Sequence, residues 1–468
     1  MNALGAVILV AAVGIVLFGS TRAALLGAMV GILYLTQSQR VDVAGFNLYA
    51  VRFVELAGFV RVMARGEFSR RDLTGVDKAL IAAYLYTVTV FLLRSREDQA
   101  YVIGSAVDAF LTYFTFRGLI NNVQTLKWFL GAFTVMLVPY VLLVVFESLT
   151  FNNPFGIIGG FQMAWGGETW FRNGRLRAVG SFGHPSLMGT LGGTFLPMYM
   201  ALWFSENRRF VALAGGCLCF GIVWASNSGG PLSCAAFSVV GWLFWMLRKN
   251  MNWVRRGMAL MLVVLGMSIK APIWYLIARI GSVTGGDSWH RAQLLDVATH
   301  NLNLWWLAGM PTSWTKDWLP YTNTVTGVAD MTNHFLVFGI TAGLGAIVLL
   351  VLLLTSAFSH IGKALASVRA SATPEPGLEH IYWGLGVVLT VHLANWFSIT
   401  YWDQINLVWF MHISIVSGLT SEVLRATREE RLEGEAVPTA RPSAPRLVPT
   451  PARMRVNPGW TARMSHRR

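Results

Sequence analysis

The stretch WFLGAFTVMLVPYVLLVVFES, residues 128–148, decides what kind of protein this is. Its only residue charged at neutral pH is Glu147, one residue from its end. A helix needs about 20 apolar residues to cross the hydrocarbon of a bilayer, and this run supplies them. Lipid offers a backbone amide no partner, so a crossing segment must satisfy its own hydrogen bonds as a helix; no barrel-like alternation is visible. Similar windows recur at 3–19, 22–36, 79–94, 100–116, 186–204, 210–225, 231–247, 257–275, 335–357, 381–398 and 404–420. The chain of 468 residues is 54% hydrophobic and 13% charged, against about 25% charged in a soluble domain. These features predict an all-α, polytopic transmembrane bundle of about twelve spans, with residues 1–420 forming one membrane domain. The 19 tryptophans fit interfacial belts.

A net charge of +14 raises the question of nucleic acid. The cations sit in short loops and the C-terminal tail instead, which is the positive-inside pattern, so the lipid bilayer is the expected partner and nucleic acid is not. One set of loops holds Arg40, Arg52, Arg61, Arg65, Arg70 and Arg71, then Arg117, Lys127, Arg208 and Arg209. It continues with Arg248, Lys249, Arg255, Arg256, Lys363 and Arg369. Alternating sides then puts both termini in the cytoplasm. Residues 46–68 are apolar but interrupted by Arg52, Glu55, Arg61 and Arg65, and read as an interfacial cytoplasmic helix. Were that segment to cross, every later side would reverse. Residues 421–468 read as a disordered basic cytoplasmic tail. The first apolar segment reads as a retained helix. Cys217, Cys219 and Cys234 read as small core residues.

Two long external loops, 149–185 and 276–334, carry charge, and ordering long loops costs entropy that function must offset. The first contains Arg172, Arg175, Arg177 and His184 and ends in RLRAVGSFGHPSLMGTLGG, residues 175–193. Gly180, Gly183 and Gly189 permit tight turns, and Pro185 suits a first helical turn. Arginines beside a helix start favour an anion, above all a phosphate, although head-group contact would explain them equally. The second loop contains Arg279, Asp287, His290, Arg291, Asp296, Asp330 and His334. Trp289, Leu294, Val297 and Leu304 recur on one helical side, with Arg291 at its start. His334, beside Asn333 and Asp330, lies at the mouth of an apolar helix, where a neutral imidazole can position or accept a hydroxyl proton. No HxxxH, HExxH or DxD pattern joins His184, His290, His300 and His334 in a metal site. Asp108 and His392 fall inside spans and are candidates for function, with a helix–helix hydrogen bond as the plainer role for Asp108.

RAVGSFGHPSLMG, SWHRAQLLDVA…LAGMP and NHFLVFGITAGLGA, across roughly residues 170–355, resemble the O-antigen ligase and polymerase family of bacterial membrane glycosyltransferases. SITYWDQINLVW, residues 398–409, is faintly similar to its exopolysaccharide-associated members. The resemblance implies a GT-C-like bundle in the inner membrane with a large periplasmic loop between late spans. It implies an undecaprenyl-diphosphate-linked glycan donor, a glycan or lipid A core acceptor, an inverting reaction and no metal or other cofactor. Carried over by position, Arg177 and Arg291 would bind the diphosphate, with Arg172 and Arg175 in reserve. His334 would activate or orient the acceptor hydroxyl, flanked by Asn333 and Asp330 as supporting residues, and His184 would support the turn of the first loop. Ser186 and Phe335 stand where relatives often carry Asn, and SNSGG, residues 226–230, lacks the cation common in that turn. Polymerisation of lipid-linked repeats is the expected activity. Ligation to lipid A core, transfer to protein, a transporter or flippase of lipid-linked oligosaccharide, and a structural subunit among polysaccharide export proteins are the alternatives.

Overall fold

In the computed structural model, residues 1–436 are described except 44–45, 70–71, 96–97, 160–170, 173, 277, 280–288, 319–326 and 372–374; residues 437–468 lie outside the described set. Asp287 therefore falls outside it, as do Arg70 and Arg71. The described residues are mostly helical, and each of the twelve apolar windows overlaps a helix, although the window 257–275 runs past the end of its helix at Ser268. Among the described residues, six helical stretches are long and apolar enough to cross a membrane: Gly75–Arg94, Val123–Thr150, Arg209–Ser226, Gly229–Ser268, Leu344–Ala370 and Gln404–Ala426.

The N-terminal helices are α1 (Ala3–Phe18), α2 (Thr21–Tyr34), α3 (Ala50–Ala64), α4 (Gly75–Arg94), α5 (Gln99–Leu119) and α6 (Val123–Thr150). A short hairpin, β1 (Arg40–Val43) and β2 (Phe46–Tyr49), joins α2 to α3. The segment read as interfacial is instead packed into the bundle, alongside α1 and α5. At one end of α3, Ala50 N–H donates to the Gln39 carbonyl, beside Gly5 of α1. At the other, Arg61 donates to the carbonyls of Val16 and Gly19 at the end of α1 (2.9 and 2.7 Å). Against α5, Gly58 meets Thr115 and Val62 meets Gly118. The interrupting charges are neutralised locally: Arg52 grips Asp108 through two bonds of 2.7 and 3.0 Å, and Arg61 pairs with Glu67 at 3.1 Å.

This pass of α3 moves the N-terminus. Asn2 Nδ2 donates to the Ile157 carbonyl at 2.8 Å, so the chain start lies at the same pole as the first long loop. Alternation of the cations along the sequence puts them at opposite poles. The physical reason for the difference is that Arg52 and Arg61 count as barriers to a hydropathy window but sit in the bundle as paired groups.

The C-terminal half comprises α7 (Pro185–Leu202), α8 (Arg209–Ser226), α9 (Gly229–Leu243) and α10 (Met251–Ser268). Then come α11 (Trp289–His300), α12 (Leu302–Trp305), α13 (His334–Ala342), α14 (Leu344–Ala370), α15 (Leu378–Trp396) and α16 (Gln404–Ala436). A second small hairpin pairs β3 (Phe171–Arg172) with β4 (Arg175–Leu176). The window 335–357 is broken at Gly343 (φ +80°), where Leu344 N–H bonds the Trp306 carbonyl at 2.8 Å. Residues 421–436, read as disordered, continue α16, since Leu, Arg, Glu and Ala favour helix. Met1–Arg425 form one compact unit, which carries both long loops, and Ala426–Arg468 form another.

At the pole away from the long loops, α4, α5 and α16 share one buried carboxylate. Asp77 accepts from Tyr113 Oη (2.5 Å), Ser417 Oγ (2.8 Å), Arg117 Nε (3.4 Å) and its own cap residue, Thr74 N–H (2.6 Å). The same pole carries the ion pairs Lys127–Glu375, Arg369–Glu379 and Arg425–Asp72, each closed at 2.6–2.7 Å.

Candidate functional site

The first long loop is clamped before it reaches its helix. Glu147, near the end of α6, accepts from Val179 N–H (3.0 Å) and Gly180 N–H (2.8 Å). Gly180 takes φ +60° against Tyr140, so it is a true turn glycine. Gly183 and Gly189 have ordinary backbone angles; they allow close approach of Trp402 and of Ser226 with Pro231. Pro185 opens α7 as expected, and His184 caps it, Nδ1 accepting from Ser186 N–H at 3.1 Å. Burial, with the charges of Arg177 and Arg172, lowers the His184 imidazole to about 3, so it caps as a neutral ring.

The four arginines of interest have different stations. Arg175 lies over the Trp224 ring at 4.0 Å and donates to the Trp224 carbonyl, which holds it on α8. The carbonyls of Arg172 and Arg175 both accept from Asn227 Nδ2 (2.8 and 3.2 Å), so Asn227 fastens the hairpin. Arg177 reaches the start of α9 and donates to Ser228 Oγ at 2.9 Å and to Ser186 Oγ of α7 at 3.3 Å. Burial, with the Arg172 charge, lowers its guanidinium to about 10, still protonated near neutral pH. Arg291 opens α11 and donates to the Ser398 carbonyl at 2.7 Å.

The second loop has its own small core of Leu294, Ala298, Trp305, Met310, Trp318, Ala329, Leu336 and Ile340. Leu294 and Val297 face it as expected, whereas Trp289 and Leu304 point outward. His290 meets the Asp330 carbonyl at 3.3 Å, and Asn333 caps α13 by accepting from Leu336 N–H at 3.0 Å. His334 is only 4% exposed, packed by Trp396, Tyr401 and Phe338. Burial lowers its imidazole to about 3. Its Nδ1 accepts from Tyr401 N–H at 3.2 Å, so the neutral ring carries its proton on Nε2. That Nε2 has no hydrogen-bond partner among the described residues. A ring so held can donate to an oxygen and orient it, which suits positioning better than proton removal.

Both loops converge on residues 395–404, the turn between α15 and α16. Ser398 receives Arg291, Tyr401 binds His334, and Thr400 Oγ1 bonds the Met331 carbonyl. Asp403, at φ +62°, accepts from Gly183 N–H at 2.5 Å. Burial pushes the Asp403 carboxyl up to about 7 against the pull of the Gly183 and Gln404 amides. Gln404 donates to the carbonyls of Leu35 and Ser181 (3.0 and 2.9 Å). Beneath the turn, Asn395 Nδ2 donates to Thr190 Oγ1 (3.1 Å) and Tyr401 Oη (3.2 Å). Tyr401 Oη in turn meets His392 Nδ1 at 2.9 Å, and His392 Nε2 meets His412 Nδ1 at 2.9 Å. Sequence reasoning passed over Glu147, Ser228, Asn395, Tyr401 and Asp403. The faint likeness of SITYWDQINLVW was the only signal for the last two.

The site thus gathers Arg177, Arg291, the starts of α7 and α9, and a buried imidazole donor around one turn. Two guanidiniums and two helix N-termini favour an anion. No family model matches the chain, and no curated protein matches its sequence.

Proposed function

We propose that the chain is an inner-membrane glycosyltransferase. It transfers glycan from an undecaprenyl-diphosphate donor to the hydroxyl of a second glycan, as the resemblance to O-antigen ligases and polymerases implies. The observation that carries this proposal is the docking of both loops on residues 395–404, through Arg291 on Ser398, His334 on Tyr401 and Gly183 on Asp403, with Arg177 held at the starts of α7 and α9. In the proposed reaction the two guanidiniums stabilise charge developing on the departing diphosphate. His334 Nε2–H holds the acceptor oxygen in line. Attack opposite the leaving group forms the new C–O bond as the bond to the diphosphate breaks, inverting the anomeric carbon, and the hydroxyl proton leaves with the departing diphosphate. The polyprenyl chain lies in grooves between helices.

We place the pole carrying the long loops in the periplasm and the opposite pole in the cytoplasm. Arg61, Lys127, Arg248, Arg369 and Arg425 make their ion pairs near that opposite pole, in keeping with positive-inside bias. The N-terminus is then periplasmic and the end of α16 cytoplasmic. In a cysteine-free background, Asn2→Cys is expected to react with an impermeant maleimide in cells whose periplasm is open. Ala426→Cys should react only after the inner membrane is opened. Labelling of both under the same condition would return the termini to one side.

Transport of the lipid-linked glycan has less support. Asp108 is held by a bidentate pair with Arg52, and both His392 nitrogens are hydrogen-bonded, so both groups that transport would use are in structural bonds. A His334→Ala protein is expected to insert normally and to leave short lipid-linked units unpolymerised. Normal polymer from a well-inserted His334→Ala protein would remove His334 from the reaction. Finished polymer lacking its anchor in a deletion strain would make lipid A core the acceptor.

A further inference from the structure

A second polar feature at the loop-bearing pole takes no part in the site above. Arg94 ends α4, and one of its terminal nitrogens, Nη2, donates weakly to the Thr341 carbonyl at 3.4 Å. Its Nε and Nη1 are shielded from solvent and have no hydrogen-bond partner among the described residues. Arg94 lines a cleft of about 300 Å³ whose far wall includes Leu304, Met310, Pro311 and Trp314. Trp314 is 59% exposed. That wall is held in place: Gly309, at φ +74°, lies so close to α13 that a Cβ would sit 2.3 Å from the Ile340 carbonyl oxygen. Met310 N–H donates to the same carbonyl at 2.9 Å.

Buried donors left unpaired are costly, and a guanidinium fork is best satisfied by a planar carboxylate. Among the described lining residues Arg94 is the one charged group, with Ser95 beside it and a largely apolar wall opposite. One cation balances a single negative charge, whereas a phosphate monoester carries about −1.5 to −2 near neutral pH. An exposed indole offers a flat apolar face to the C–H side of a sugar ring. Thr341 lies seven residues along α13 from His334, about 10 Å at 1.5 Å per residue.

We propose that this cleft binds an acidic sugar residue, with its carboxylate on Arg94 and its ring on Trp314. Its use as a glycan subsite rests on the glycosyltransferase proposal; the binding itself does not. The test is calorimetric titration of the full-length protein in detergent micelles with two disaccharides. One carries a uronic acid, and the other is the same sugar with the carboxylate reduced to a hydroxymethyl group. Wild type is expected to prefer the acid by roughly tenfold. Arg94→Gln should bring the two affinities together, and Trp314→Ala should weaken both. No acidic preference in wild type, or an undiminished preference in Arg94→Gln, would overturn the proposal. Inorganic phosphate that displaced the acid at equal concentration would also overturn it, since the cleft would then be a phosphate site. Uronate binding by a His334→Ala protein that transfers nothing supports the cleft independently of turnover. Binding without glycosyl transfer in wild type would leave the cleft standing and the enzyme proposal fallen.

Discussion

Replacing Arg177 with alanine is expected to slow glycan transfer by about 10²–10³-fold, or about 2.7–4 kcal/mol of transition-state stabilisation. The protein should still insert and fold. Arg177 is largely desolvated, and it bonds the hydroxyls of Ser228 and Ser186 at two helix starts. A half-buried cation set between two helix N-termini makes a strongly electropositive place, suited to an anion that arrives with the substrate. Charge on a departing diphosphate rises in the transition state, so loss of Arg177 should fall on kcat more than on KM. Arg177→Lys should recover only part of the rate, because an ammonium lacks the planar fork. The comparison is initial rate per inserted protein in vesicles. Transfer by Arg177→Ala within about threefold of wild type would remove this arginine from the site, since an oxyanion-type contact is worth far more.

The second large effect concerns stability. Asp77→Ala should destabilise the folded protein by about 3–5 kcal/mol, the usual consequence of leaving one buried charge without its partner. Asp77 is fully buried and Arg117 is 2% exposed. The change takes the carboxylate from Arg117, Tyr113 and Ser417 together, leaving Arg117 only the Asp72 carbonyl and the Ser417 and Ser421 hydroxyls, and removes the capping box at the start of α4. Asp77→Asn should cost less, since an amide oxygen still accepts from the two hydroxyls. A thermal melt in detergent reads both. The fraction that folds should transfer at the wild-type rate, because this network sits at the pole opposite the loops. A melt unchanged in Asp77→Ala would show that the network does not tie α4, α5 and α16 together.

The helices were legible because lipid leaves the backbone few choices, and apolar windows such as 128–148 report that directly. The two charged loops, and Arg177 as a candidate for an anion, were legible from residue type and position. What escaped has a common cause: it depends on pairing between distant residues. Arg52 and Arg61 look prohibitive until Asp108 and the carbonyls of α1 are seen beside them. Arg175 looks equivalent to Arg177 until Trp224 takes it. His334 looks like a base until the Tyr401 amide occupies Nδ1. The turn at 395–404 carries few charges to mark it, yet both loops dock there.

The most direct test of the central proposal is reconstitution of the purified protein in vesicles holding an undecaprenyl-diphosphate oligosaccharide and an acceptor glycan. Glycosyl transfer predicts a product with one new inverted glycosidic bond and released undecaprenyl diphosphate in equal amount, with both falling together in Arg177→Ala. Movement of the intact donor across the bilayer with no new glycosidic bond would contradict it.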